Sequence, residues 1–193
     1  MWVPATWIRR LAWVFSRPAA LAASLLLMGW EMPKTWTVDE LVTASDLNQH
    51  IRNNVNALKN PPSAHVEPNQ ASDYTTSQTS FVDVDATNLA LTITTNGGDV
   101  FLHFHGTVNA TSAVYFDVYE NNARLGGDDG FIREQSAGVD RTVSFTRLIS
   151  GLSGGQHTFK LQWRVASGSA TLYAGAGTAN KDLHPQFWVR EIS

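Results

Sequence analysis

Between Thr43 and Lys59 the apolar residues recur at a helical period. Leu47, Ile51, Val55 and Leu58 are spaced by four, four and three, which places them on one face of an α-helix. Asn48, Gln49, Arg52, Asn53 and Asn56 take the opposite side. Thr43 has the character of an N-cap, and Asp46, three residues on, makes an acidic version of the capping box. Pro61 and Pro62 stop the helix, because a residue before proline avoids the helical region. The pattern predicts one helix over residues 43–59.

Isolated helices of about 12–15 residues are marginal in water. Four large apolar side chains on so short a helix need a partner surface. One choice is the side of the chain's own β-domain. The other is copies of the same helix around a symmetry axis. Ala44, Leu47, Ile51, Asn54 and Leu58 supply a three-four repeat for the second choice, with one asparagine of the kind that fixes register and oligomer state. Leu47, Ile51, Asn54, Val55 and Leu58 are therefore the candidate neck residues, within a helical segment 32–62.

Residues 63–79 show no period. With their prolines and small polar side chains they read as a linker. From Ser80 to Ser193 the period becomes two. "SFVDVD", "LALTITT", "VFLHFHGTV", "AVYFDVYEN", "RTVSFTRLISGL", "HTFKLQWRVA", "SATLYAG" and "FWVREI" alternate or are β-branched, and "NGGD" and "SGGQ" mark turns. About eight strands at this spacing predict a mainly β fold, a jelly-roll-type β-sandwich preceded by one short amphipathic α-helix.

Alternation also assigns faces. Val100, Leu102 and Phe104 point one way, and Phe101, His103 and His105 the other. Val114, Phe116 and Val118 oppose Tyr115, Asp117 and Tyr119, while Phe159, Leu161, Trp163 and Val165 form a core set. The second set in each strand mixes aromatic and polar residues, a composition typical of protein interfaces. Phe101, His103, Tyr115, Tyr119 and Trp188 are the candidate head interface.

Composition supports this picture. Charged residues make up 16% of the 193 residues, below the roughly 25% of average globular chains. The net charge of -3 and the lack of a basic cluster beyond the N-terminus argue against nucleic acid as a partner. The absence of cysteine excludes disulfide scaffolds and thiolate zinc sites. Residues 1–31 differ from the rest. Arg9, Arg10 and Arg17 precede an apolar run from Pro18 to Trp30, which is signal-like but has no good small-residue cleavage site. The run is shorter than the roughly 20 residues of a membrane span. Two readings stand: a signal-like leader, or an over-called start with the protein beginning at Met32.

Motifs for chemistry are sparse. No serine lies in a Gly-x-Ser-x-Gly elbow, and there is neither a phosphate loop nor a dinucleotide fingerprint, so no catalytic residues are expected and the chain does not read as an enzyme. His103 and His105 have the spacing of a His-x-His metal pair without an evident third ligand. Asp128 and Asp129 in "GGDDG" are a calcium candidate, weakened by the preference of turns for Asp and the lack of EF-hand spacing. No other cofactor is implied. The loop carrying Asn121, Asn122, Arg124, Asp128 and Asp129 is the candidate ligand-binding tip.

"TWTVDELVTASDLNQHIRNNVNALKNPP", residues 35–62, resembles an N-terminal segment of phage and prophage tail-fibre or appendage proteins. The β-part, from "YTTSQTSFVDVDATNLALTITT" to "FWVREI", is similar in plan to the trimeric heads of the tumour necrosis factor and complement type. Together they span nearly all of 35–193. The resemblance implies a homotrimer with a helical base and jelly-roll heads. It implies a virion location and a structural or receptor-binding role, with partners among other virion proteins and host-surface glycans or proteins. It carries no catalytic residues. Residues 1–31 depart from that pattern. The alternative is a secreted or cell-surface bacterial adhesin module that binds carbohydrate or protein.

Overall fold

The period-two segments pair into two antiparallel sheets stacked face to face. In this computed structural model, residues 32, 34–121, 123–177 and 179–192 are described. The expectations for residues 1–31 and for Asn122 fall outside them. The strands are β1 (Ser63–Val66), β2 (Tyr74–Thr76), β3 (Val82–Asp83), β4 (Ala90–Thr95), β5 (Gly98–Ala110), β6 (Ala113–Glu120), β7 (Ala123–Arg124), β8 (Ile132–Gln135), β9 (Arg141–Leu152), β10 (Gly155–Val165), β11 (Ala170–Leu172) and β12 (Gln186–Glu191).

In the first sheet the long strand β5 pairs with β9 on one side and with β12 and β11 on the other. β1 and β2 extend β12 and β11 outward. In the second sheet β10 lies between β6 and the pair β3 and β4, and β6 carries β7 and β8. Each sheet is thus about four strands wide, and the whole is a jelly-roll sandwich.

The core lies between the sheets. Phe104 from β5 stacks on Phe116 from β6 at 5.4 Å and meets Phe145 from β9 at 5.6 Å. Phe116 continues to Trp163 on β10 at 6.1 Å. Leu102, Val118, Phe159, Leu161, Phe187 and Val189 are fully buried around them. These are the inward positions assigned by alternation. Burying such side chains contributes about 1.5–3 kcal/mol each.

Two expectations need correction. The stretch 63–79 is not a linker, because β1 and β2 lie within it and pair with β12 and β11. Both are short, partly polar strands at a sheet edge, where one side needs no partner and flanking prolines are tolerated. Their period is too short to read. Likewise the eight expected strands become twelve, the additions being pieces of two to four residues.

The chain divides between Asn60 and Pro61 into two units. In the first, helical turns run over Ala44–Leu47, Asn48–Arg52 and Asn53–Lys59. Thr43 caps the start: its Oγ1 accepts from the Asp46 amide at 3.1 Å, and Asp46 Oδ2 accepts from the Thr43 amide at 3.1 Å. The middle stretch, Asn48–Arg52, is a π-turn. Ahead of the helix, Lys34 pairs with Glu40 and Asp46, and its ammonium lies 4.6 Å above the Trp36 ring.

Candidate functional site

The helix presents its apolar stripe outward. Leu47, Ile51, Val55 and Leu58 are 45%, 50%, 56% and 68% exposed, while the polar Asn54 is 6% exposed. The π-turn bears on this stripe. Four residues overshoot one α-turn but fall short of the wider π-turn. Successive spacings of four therefore offset each other, and Leu47, Ile51 and Val55 stay in line. Asn54 stands apart from them: its Nδ2 donates to the His50 carbonyl at 3.1 Å. The structure thus gathers four of the five neck candidates on one open face and buries the fifth within the single chain.

The head-interface candidates divide between the two sheets. On the outer face of the first sheet the register sets His65, Trp188, His103 and Thr146 side by side across β1, β12, β5 and β9. His103 stacks on Trp188 with ring centroids 5.2 Å apart, and its Nδ1 lies 2.8 Å from Thr146 Oγ1. The adjoining row holds Arg190, Phe101 and Leu148, and Phe101 and Leu148 are 39% and 49% exposed. Burial, joined by the nearby His105, holds the His103 imidazole below its usual range. A shallow groove of about 460 Å³ borders this face, lined by Ser63, His65, Trp188 and Arg190 among others.

Tyr115 and Tyr119 lie on the outer face of the second sheet. Tyr115 is covered rather than free. The Arg164 guanidinium lies 3.9 Å from its ring centroid, and that of Arg133 lies 5.9 Å away. Arg164 also approaches Phe81 at 5.3 Å, and Arg124 sits over the other part of that ring at 4.3 Å. Guanidinium and aromatic groups therefore alternate across this face, an arrangement of cation–π contacts.

Asp117 is the residue that alternation misplaced. Expected on the open face, it is fully buried. Its Oδ1 accepts from the amides of Val118 and Gly126, both at 2.8 Å, and Oδ2 lies 3.5 Å from Arg124 Nε. Burial pushes the carboxyl above its usual range, against the pull of those amides and of Arg124. The loop after β6 folds back over the strand and covers it. Glycine permits this approach, since a Cβ at Gly126 would stand 2.6 Å from Asp117 Oδ1. The doubled glycine in "RLGGDDG" was the available signal. His157 lies on β10, close to Glu120 of β6. Burial opposes its charge, but hydrogen bonds to Glu120 at 2.8 Å and to the Ser153 carbonyl at 2.9 Å raise its affinity for protons overall.

In the candidate tip loop, Asn121 adopts a left-handed φ of 49° and exchanges hydrogen bonds with the Thr158 backbone. Arg124 Nη2 donates to the Gly127 carbonyl at 2.8 Å. Asp129 pairs with Arg164 at 2.6 Å, and Asp128 is exposed. This pairing directs Asp129 to a cation already in the chain. Among the described residues no three acidic or histidine side chains converge to hold a metal, the pair His103 and His105 included.

No family model matches the chain, and no curated protein matches it. Similar solved structures include the globular domain of zebrafish complement 1qA protein, with 16% identity, a TM-score of 0.43, and coverage of 69% of this chain and 98% of that one. Eiger TNF from S. frugiperda is 13% identical with a TM-score of 0.39, covering 69% of this chain and 95% of that one. The vertex protein P5 of PRD1 is 10% identical with a TM-score of 0.42, covering 69% and 98%.

Proposed function

We propose that this chain is a homotrimeric structural appendage of a virion, fibre-like, whose jelly-roll head contacts other surfaces rather than turning over a substrate. The observation that carries this reading is the helix. Its four large apolar side chains, spaced by four, four and three, are about half exposed or more in the single chain. Apolar patches of this kind mark association surfaces. Helices with such seams associate by interlocking them, and the resemblance of residues 35–62 to phage appendage segments favours three copies.

The sandwich adds a second surface. The outer faces of the two sheets point in opposite directions, so one closed ring cannot use both as its axial contact. At a symmetry axis each side chain meets its own copies, and fixed charges would repel. The face with Phe101, His103, Trp188 and Leu148, which carries the single arginine Arg190, suits that position better than the face where three arginines gather. The arginine-bearing face of Tyr115 and Tyr119, with the loop from Asn121 to Asp129, is left for outside partners such as other virion proteins or host-surface glycans and proteins.

Light scattering on the full chain tests the reading, with Ile51→Asp beside the unaltered protein. A mass of three chains that falls to one in the variant supports it. A single-chain mass in both refutes it, and the chain is then a monomeric secreted or cell-surface binding module.

A further inference from the structure

We propose that His65, His103 and His105 make contact between the sandwiches acid-sensitive: the outer face of β1, β12, β5 and β9 meets its copies when these imidazoles are neutral and separates from them when they are protonated. The inference rests on the homotrimer reading and adds a regulatory property to its head contact.

Three observations support it. First, three of the chain's six histidines lie on this one face, although they come from two separate strands. His65 and His103 flank Trp188 in one row, and His105 follows two residues along β5. Second, His103 is set among apolar groups, while His65 and His105 to either side of it are exposed. Phe101 precedes His103 on the strand, and Trp188 stacks on it. Third, few fixed charges are at hand to neutralise an imidazolium here. Glu67 follows directly on β1, and β12 contributes Arg190. β9 contributes Ser144, Thr146 and Leu148. On β5 itself the remaining carboxylate is Asp99, at the end of the strand, where its Oδ1 accepts from the Gly151 amide. Glu67 accepts from Gln186 at 3.1 Å, beside His105. The two carboxylates, Glu67 and Asp99, offset by Arg190, do not balance three added charges per copy.

Histidine changes charge between about pH 5 and 8. At a threefold axis each protonated imidazole faces its own copies, so acidification sets like charges against each other across a surface that has been drained of water. Both effects oppose contact. The joined state therefore binds fewer protons than the separated state, and its stability falls as pH drops through the imidazole range. His103 already shows this bias in the single chain, since burial holds it low. None of the three lies in the helical unit, whose one histidine, His50, has its Nδ1 3.1 Å from the Met32 carbonyl, so the three chains are expected to stay joined while their heads part.

Small-angle X-ray scattering of the full chain, at about pH 7.5 and about pH 5, reads mass and dimensions together. The expected result is a constant mass of three chains and a radius of gyration that rises on acidification, with a midpoint below about 6.5. Replacing all three residues by glutamine (His65→Gln, His103→Gln, His105→Gln) should keep the particle compact at both values. His103→Lys should open it already at the higher pH. Because all three positions face outward, thermal melting of each variant at the higher pH verifies that the sandwich is intact. A trimer of unchanged radius at both pH values overturns the inference and leaves the homotrimer standing. A glutamine variant that still opens also overturns it, assigning the change to other groups. A single-chain mass at the higher pH overturns the trimer and this inference together.

Discussion

The two units of this chain treat apolar side chains in opposite ways. In the sandwich, Phe104, Phe116, Phe159, Leu161 and Trp163 are all but completely hidden in the core between the sheets. In the helical unit, Leu47, Ile51, Val55 and Leu58 stay exposed, and so do Val38 and Leu41 ahead of them. The sandwich has two layers and can satisfy itself. A single amphipathic helix is one layer by itself, so a stripe of this kind calls for a partner surface. Under the proposed function, folding and assembly are then separable: the core of the sandwich serves the first, and the helix would serve the second.

That separation can be broken most forcefully from the sandwich side. Trp163→Ala removes the largest fully buried side chain. It is expected to cost about 3–5 kcal/mol of folding stability and to lower the thermal midpoint of the β-rich unit sharply, as followed by circular dichroism. Ile51→Asp probes the other unit. It should abolish the three-chain mass in light scattering while the β-sheet signal melts nearly as before. A variant that loses both together would show the two units to be one cooperative structure.

Smaller effects sharpen the contrast. Thr43→Ala deletes both hydrogen bonds of the capping box that involve its hydroxyl. A loss of about 0.5–2 kcal/mol is typical for such a cap. It should appear as weaker association on dilution, with the melting of the sandwich unchanged. Asp117→Asn reports on the sandwich through pH. Burial raises the folded pKa of this carboxyl, so the folded chain retains a proton that the unfolded chain has released. The resulting stability is present at low pH and is lost as pH rises above the ordinary value of 3.8 through the raised one. The variant should flatten that limb of the melting temperature plotted against pH. An unchanged limb would mean that Asp117 keeps an ordinary affinity for protons.

Much of this was legible in the order of residues. A period of four, four and three identified the helix, and "T-x-x-D" located its start, because both are local properties of a single turn or two. Period two identified the long strands and their core faces, since alternation follows from the pleat alone. What depends on distant partners was not legible. Ser63–Val66 and Tyr74–Thr76 are strands because β12 and β11 offer them edges, and nothing in their own composition announces it. Asp117 obeys the alternation that points it outward, yet it is buried because a later loop, narrowed by Gly126, returns to cover it. The candidate interface residues were found by their chemistry, but only pairing register divided them into Phe101, His103 and Trp188 on one sheet and Tyr115 and Tyr119 on the other. The sequence by itself determined the helix with its apolar stripe and the long strands with their inward faces, because short-range geometry dictates these. The tertiary structure decided which outward positions remain outward, because that depends on where residues far along the chain come to rest.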